Sequence, residues 1–243
     1  MDIRPIRTIR EFYATVATPC PYLSGRQEQK LVVELKGPEI EHFYADLSRA
    51  GFRRSHDLAY RPACRACSAC VPVRIDVDRF TATRSLRRVA RRNADLIVDE
   101  CAPRASAEQY ALFSRYLASR HSESDMTEMA YRDYRTMVEA TPIETTLVQL
   151  HAPDGRLVLG CVTDRMPDAL SAVYSFFDPA EAERSLGTQA ILTLIDIARE
   201  EGLAHVYLGY WIAESRSMTY KRRFPALEGF IDGRWQPLPR VTA

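Results

Sequence analysis

Three cysteines stand at C-x-x-C-x-x-C spacing: Cys64, Cys67 and Cys70. Thiolates this close together can share one metal ion or cluster. A fourth, Cys20, lies between Pro19 and Pro21, where two proline rings stiffen the loop. We expect Cys20, Cys64, Cys67 and Cys70 to form a metal-ligand set, against the plainer reading of Cys20 as a buried free thiol. An iron–sulfur cluster or zinc would suit it, and the spacing does not choose between them. Just downstream, Arg84, Arg87, Arg88, Arg91 and Arg92 recur at i, i+3, i+4, i+7 and i+8. On a helix these positions make one cationic stripe. A solvated face is the usual fate of such a stripe. Here no acid intervenes, so the guanidinium groups repel one another and favour an anionic partner. Phosphate, and nucleic acid in particular, is the chemistry this suggests.

Bulk properties bound the rest. The chain has 243 residues, enough for one large domain or two modest ones. Hydrophobic residues make up 46% and charged residues 27%, which excludes a disordered chain. The net charge of +1 excludes a polycation, so any nucleic-acid surface must come from local clustering. The opening MDIRPIRTIREFY lacks the apolar core of a signal peptide, and no apolar run is long enough to span a bilayer. These features predict a cytoplasmic protein without a membrane segment, whose thiols are free, catalytic or metal-bound.

The elements that must position these residues follow from periodicity. Lys30–Leu35 reads as a strand. Pro38–Ala50 reads as a helix with Ile40, Phe43, Tyr44 and Leu47 on one face and Gly51 as its stop. Residues 52–61 read as extended, 71–80 as a half-buried strand, and 84–93 as the arginine helix. A strand at 96–100 precedes a helix over 106–120, opened by a capping box of Ser106 and Gln109. A further helix spans 127–140. Three strands follow at 144–151, 156–164 and 169–177, the first two joined by an Asp154-Gly155 turn. A strongly apolar helix over 188–199, a buried strand over 203–211 and a hairpin over 229–238 complete the chain. Antiparallel strands, then a helix with glycine at its start, then another strand fit an acetyltransferase-like sheet. In that arrangement amides at the helix start bind phosphate. The fold class expected is α+β: a cysteine-containing N-terminal α/β region, residues 1–100, packed on a GNAT-type mixed-sheet domain, residues 101–243.

Several stretches together resemble the bacterial branch of the arginyl-tRNA–protein transferase family. They are PCPYL with Gly25-Arg26, GFRRS (51–55), YRPACRACSACVPVR (60–74), RSLRRVARRN (84–93), YSFFDP (174–179), SLG (185–187), YLGYWI (207–212) and MTYKRRF (218–224), followed by Gly233 and Trp235. The resemblance runs nearly end to end. It implies transfer of leucine from leucyl-tRNA to proteins that begin with Asp or Glu, marking them for degradation. Eukaryotic relatives use arginyl-tRNA and carry a cysteine cluster linked to iron–sulfur or zinc binding. Cys20, Cys64, Cys67 and Cys70 match that cluster in kind.

Such a reaction joins an activated ester to an α-amine. The amine's unperturbed pKa of ~7.7–8.0 leaves part of it neutral at cytosolic pH. The enzyme must align the groups, hold the oxyanion and protonate the leaving ribose oxygen. We expect Tyr210 or Tyr220 to donate that proton and Asp178 to orient the amine. Amides near Tyr174 and Phe177, or at Ser185 and Gly187, would hold the oxyanion or the terminal phosphates. For the tRNA we expect Arg87, Arg88, Arg91, Arg92, Lys221, Arg222 and Arg223. For the acceptor's acidic side chain we expect Arg61 and Arg74, which flank the cysteines. No acyl-CoA is expected. The rivals are an arginyl-tRNA donor, a non-catalytic metal-dependent RNA-binding or redox-sensing module, and an ordinary acyl-CoA N-acyltransferase.

Overall fold

A computed structural model describes residues 10–120 and 125–238. The chain opens with short strands, β1 (Phe12–Ala14), β2 (Thr18–Pro19), β3 (Gln27–Glu28) and β4 (Lys30–Glu34), then helix α1 (Ile40–Arg49), β5 (Arg53–Ser55) and β6 (Leu58–Pro62). Four of them form an antiparallel sheet in the order β1-β4-β6-β5, and β2 pairs with β3 alone. Helix α1 forms on the face foreseen from its spacing, burying Tyr44, Ala45, Leu47 and Ser48. Gly51 turns the chain out of it at φ +84°; a side chain there would meet Pro72 at 2.9 Å.

The remaining strands build one larger sheet. They are β7 (Val71–Asp76), β8 (Ile97–Cys101), β9 (Thr145–His151), β10 (Leu157–Met166), β11 (Ala169–Phe177), β12 (His205–Trp211), β13 (Leu227–Ile231) and β14 (Arg234–Pro237). Their order is β14-β13-β7-β12-β11-β10-β9-β8. The β11–β12 pair is parallel and the rest are antiparallel. β7 lies before residue 101 and β8 ends at it, yet both belong to this sheet, so the sheet spans both halves of the chain.

Helices α2 (Arg84–Arg92), α3 (Ala107–Arg120), α4 (Tyr131–Glu139) and α5 (Leu186–Glu200) cover the sheet. Helix α5 is the parallel crossover from β11 to β12, as a parallel pair requires. It buries Ile191, Leu194 and Ile195 with Ile75, Leu159, Leu170 and Val206. The other face carries α3 and α4, through Leu112, Phe113 and Tyr134 against Leu147, Leu157 and Phe176. The small sheet and α1 share a third apolar cluster that includes Ala169 and Tyr207. A buried ion pair crosses this junction: Arg54 on β5 donates to both oxygens of Asp164 on β10, at 2.8 and 2.7 Å. Tyr44 and Thr145 hydroxyls donate to the same carboxylate at 2.9 and 3.0 Å.

The predicted elements form, with three local differences, the first being that the extended stretch expected over 52–61 folds back on itself as the antiparallel β5–β6 hairpin, turning at His56 with φ +55°. The helix expected over 127–140 is a 3-10 turn (Asp125–Glu128) followed by α4. The break occurs because the Asp133 carboxylate accepts the Ala130 N–H at 2.9 Å and caps a fresh helix start. The strand expected to reach Phe80 ends at Asp76, whose carboxylate accepts the Arg79 N–H at 3.0 Å and turns the chain. The capping box at Ser106 and Gln109 forms reciprocally, at 2.8 and 3.2 Å.

Candidate active site where the central strands part

The parallel strands β11 and β12 pair only from Ala169–Ser171 to His205–Tyr207. Beyond that both continue without pairing each other. Each is bent on its outer side. The β10–β11 register slips at Val162/Thr163, leaving Val173 without an opposite residue. The β12–β7 register slips between Tyr207 and Tyr210. Bulges increase local twist, and two of them at one level turn the strands apart. The gap strands backbone carbonyls that a continued ladder would have satisfied.

Two cations take those carbonyls. Arg53 Nη2, from β5, donates to Val173 O at 2.6 Å and Ala172 O at 3.3 Å. Lys221 Nζ, from the 3-10 segment Arg216–Arg223, donates to Leu208 O at 2.8 Å and Tyr210 O at 2.5 Å. Between those last two carbonyls lies Gly209, at φ +73°. The Arg53 guanidinium rests on it so closely that a Cβ would sit 2.5 Å from Cζ and 2.7 Å from Nε. Only glycine tolerates both the backbone angle and the approach. Neither cation makes an ion pair with a carboxylate among the described residues. Burial, reinforced by Arg53, pulls the Lys221 ammonium down to about 7.

Phenols line the same region. The Tyr174 hydroxyl is buried and has no hydrogen-bond partner among the described residues. Burial, then the Tyr116 phenol, pushes Tyr220 up to about 12, and the same two causes raise Tyr174. Tyr174 and Tyr220 therefore share a neighbourhood and remain protonated, as donors rather than bases. Tyr210 differs: its hydroxyl donates to Tyr60 O at 2.9 Å and so supports the backbone. Asp178 is also engaged. It accepts from Ala180 N at 3.0 Å and from Arg156 Nη1 at 3.0 Å, so it caps the turn after β11 and faces a guanidinium.

The arginine stripe forms on α2 as expected, started by Thr83, whose hydroxyl accepts the Leu86 N–H at 3.4 Å. Leu86 is its buried residue; Arg84, Arg87, Arg88, Arg91 and Arg92 are exposed and have no carboxylate partner among the described residues. The fold sets this stripe beside the start of α5. Arg92 donates to Glu183 O, and Asn93 Nδ2 donates to Arg184 O at 2.9 Å. Ser185 and Gly187 thus stand at the end of the cationic helix, joining two features far apart in sequence. Arg222 packs over the Trp211 ring at 5.0 Å, and Arg223 is exposed. Lys221, expected on that surface, is buried, because its amine is drawn inward by the two carbonyls of β12.

Cys20, Cys64, Cys67 and Cys70 line one cavity of about 70 Å³, together with Tyr22, Tyr60 and Tyr210. The Ala69 backbone N–H and the Arg26 guanidinium, 3.1 Å from Cys67 Sγ, lower the Cys67 thiol and favour its thiolate. Burial and the neighbouring thiols push Cys70 up to about 11. Four soft sulfur donors lining one cavity suit zinc or an iron–sulfur cluster in kind, but not in their present spacing. Among the described residues no three potential ligands stand at metal-binding spacing.

Arg61 and Arg74 both serve the fold. Arg74 Nε donates to Glu228 at 2.9 Å, Nη1 donates to the Tyr207 hydroxyl at 3.3 Å, and the guanidinium stacks on Trp235 at 4.4 Å. Arg61 donates to Ala50 O at 3.1 Å and lies over Phe52 at 5.2 Å. The charge of Arg74 is therefore matched from within. Arg53, Gly209 and the Arg54–Asp164 pair carry no assignment from sequence reasoning. One signal was available: a lone glycine within a buried strand marks a bulge or a close approach.

Two sequence profiles match the chain. One, described as Arginine-tRNA-protein transferase, N terminus, covers residues 18–88; the other, described as Arginine-tRNA-protein transferase, C terminus, covers residues 108–231. An aspartate/glutamate leucyltransferase from Paramagnetospirillum magneticum is 51% identical over 97% of each chain. Another, from Rhodospirillum rubrum, is 49% identical over 97% of this chain and 96% of its own. Likeness to solved structures is looser. L-PGS from Bacillus licheniformis gives a TM-score of 0.48 at 14% identity, covering 74% of this chain and 52%, about half, of that one. FemX gives 0.43 at 9% identity, covering 75% and 63%.

Proposed function

The chain belongs to the arginine-tRNA-protein transferase family, and from that premise we propose how it works. It is an aminoacyltransferase that moves leucine to proteins beginning with Asp or Glu. The observation that carries this is the 51% identity to an aspartate/glutamate leucyltransferase over nearly the whole of both chains. The donor is leucyl-tRNA, the acceptor is a protein α-amine, and the setting is the cytoplasm. The product is a protein with leucine at its new N-terminus, a mark for proteolysis. Among the described residues no helix is long and apolar enough to cross a membrane.

The chemistry needs no strong base. The α-amine nitrogen attacks the ester carbonyl, a C–N bond forms, the ester C–O bond breaks, and the ribose oxygen takes a proton. The amine loses its own proton as the amide forms. Alignment in the gap between β11 and β12 supplies most of what is required. Backbone amides where the strands part are the donors we assign to the oxyanion. Tyr174 and Tyr220, held protonated by burial, are the donors we assign to the leaving oxygen. The α2 stripe, with Arg222, Arg223 and the amides of Ser185 and Gly187, receives the tRNA phosphates. The four cysteines would hold a metal that braces the N-terminal loops against Tyr60 and Tyr210.

The test is transfer of radiolabelled leucine and arginine, each presented as charged tRNA, to peptides beginning with Asp, Glu, Lys or Ala. Leucine on the Asp and Glu peptides alone is the expected result. Arginine transfer keeps the family and changes the donor. No transfer from either tRNA by folded protein refutes the reading.

A further inference from the structure

Arg53 and Lys221 approach from opposite ends of the chain and meet across Gly209. Lys221 holds the carbonyls on either side of that glycine, Leu208 O and Tyr210 O, while Arg53 lies on its α-carbon. They are close enough that Arg53 is the charged neighbour that disfavours the Lys221 ammonium. Lys221 is buried and Arg53 half-buried, and two such neighbouring cations repel each other and lose hydration. Elsewhere the fold avoids that cost with internal acids: Arg54 has Asp164, Arg74 has Glu228 and Arg156 has Asp178. Here no carboxylate forms an ion pair with either cation among the described residues. The titratable groups that favour the Arg53 charge are instead phenols: Tyr60, Tyr210, Tyr44 and Tyr22. Nη2 is the Arg53 nitrogen recorded as donating within the protein.

We propose that Arg53 and Lys221 form the pocket that reads the acidic side chain of the acceptor's first residue. This rests on the reading above and names the part of the site that sets its acceptor rule. A compact carboxylate supplies the missing counter-charge, and a guanidinium partly withdrawn from water binds it more strongly than a fully solvated one does. Position agrees as well. In an N-terminal Asp or Glu the carboxylate is only a few bonds from the α-amine, so its receptor must lie beside the reacting nitrogen. The pair stands where β11 and β12 separate, at the same level as the Val173 and Gly209 irregularities. The tRNA phosphates have a separate exposed surface on α2, which leaves the half-buried Arg53 and the buried Lys221 for a small anion.

The experiment measures binding directly, so that it does not depend on catalysis. Fluorescent peptides identical except for a first residue of Asp, Asn, Glu or Gln are titrated against full-length protein and against Arg53→Gln, Arg53→Lys and Lys221→Met. Leucyl-tRNA affinity is measured in parallel. Wild type should prefer Asp over Asn at least tenfold. Arg53→Gln should reduce that preference to about twofold by weakening the Asp peptide alone, and Arg53→Lys should restore part of it. Equal loss of Asp and Asn peptides in the variants overturns the proposal in favour of a purely structural role. So does a wild type without preference. A fall in leucyl-tRNA affinity with the Asp/Asn preference intact assigns the pair to the tRNA end and overturns it too. Arg53-dependent preference in a protein that transfers no leucine would uphold this pocket while refuting the transferase reading.

Discussion

Replacing Gly209 with alanine perturbs the site at one methyl group. Two costs can be worked out from its surroundings. The backbone at φ +73° is in the left-handed region, where an L-residue other than glycine costs about 1–2 kcal/mol. The new Cβ would also stand 2.5 Å from Arg53 Cζ, so the guanidinium must move. Arg53 is a long side chain and can yield, but it then leaves Val173 O and the position in which it faces the acceptor. A domain of ordinary stability, about 5–15 kcal/mol, survives the first cost. For a chain of this size that cost lowers Tm by about 2–8 °C. The second cost falls on binding. A hydrogen bond to a charged group contributes about 1.5–3 kcal/mol, which corresponds to about 10- to 160-fold in kcat/KM for an Asp peptide. The assay is steady-state leucyl transfer at saturating leucyl-tRNA, with thermal unfolding followed in parallel. Gly209→Ala should keep its fold and its KM for leucyl-tRNA while losing kcat/KM for Asp and Glu acceptors. Retention of full acceptor kcat/KM, with only the small drop in Tm, would refute the reasoning that the Gly209–Arg53 contact positions the receptor.

Other consequences follow from the same structure. Asp164→Ala leaves the Arg54 guanidinium buried without its anion and should destabilise the protein by about 3–5 kcal/mol in chemical denaturation, whereas Arg54→Met/Asp164→Leu together should recover most of that. Arg87→Ala/Arg91→Ala should weaken leucyl-tRNA binding and flatten the plot of log K against log salt by about 1.5, with acceptor KM unchanged. Lys221 gives a pH signature whose sign is fixed by its lowered pKa. The unfolded amine takes its proton near 10.5 and the folded one near 7, so stability present above 10.5 is lost as pH falls toward 7. The groups facing that amine are Arg53 and two backbone carbonyls. Between pH 9 and 7 wild type should lose about 2–3 kcal/mol relative to Lys221→Met, and parallel pH curves would contradict it. Purified protein should contain zinc or iron in proportion to chain, and Cys67→Ser should reduce it; metal-free protein with all four thiols titratable would sink that proposal.

The elements were legible in the sequence because each rests on local rules. The 3.6-residue spacing of Ile191, Leu194 and Ile195 makes α5, and the Ser106–Gln109 box starts α3. The arginine stripe needed only its spacing to be read as one exposed face. The motifs from Cys20 to Phe224 likewise carried the family, since they run nearly from end to end. Which charges remain available was decided by tertiary structure alone. Arg53, Arg61 and Arg74 are alike in sequence: arginines near the cysteines. Folding gives Arg74 the carboxylate of Glu228, which is 154 residues away, and lays Arg61 over Phe52. It sets Arg53 beside Lys221, 168 residues further on, with no acid paired to either among the described residues. A side chain's charge is written in the sequence, but its counter-charge is a partner in space, and strand pairing across the whole chain selects that partner.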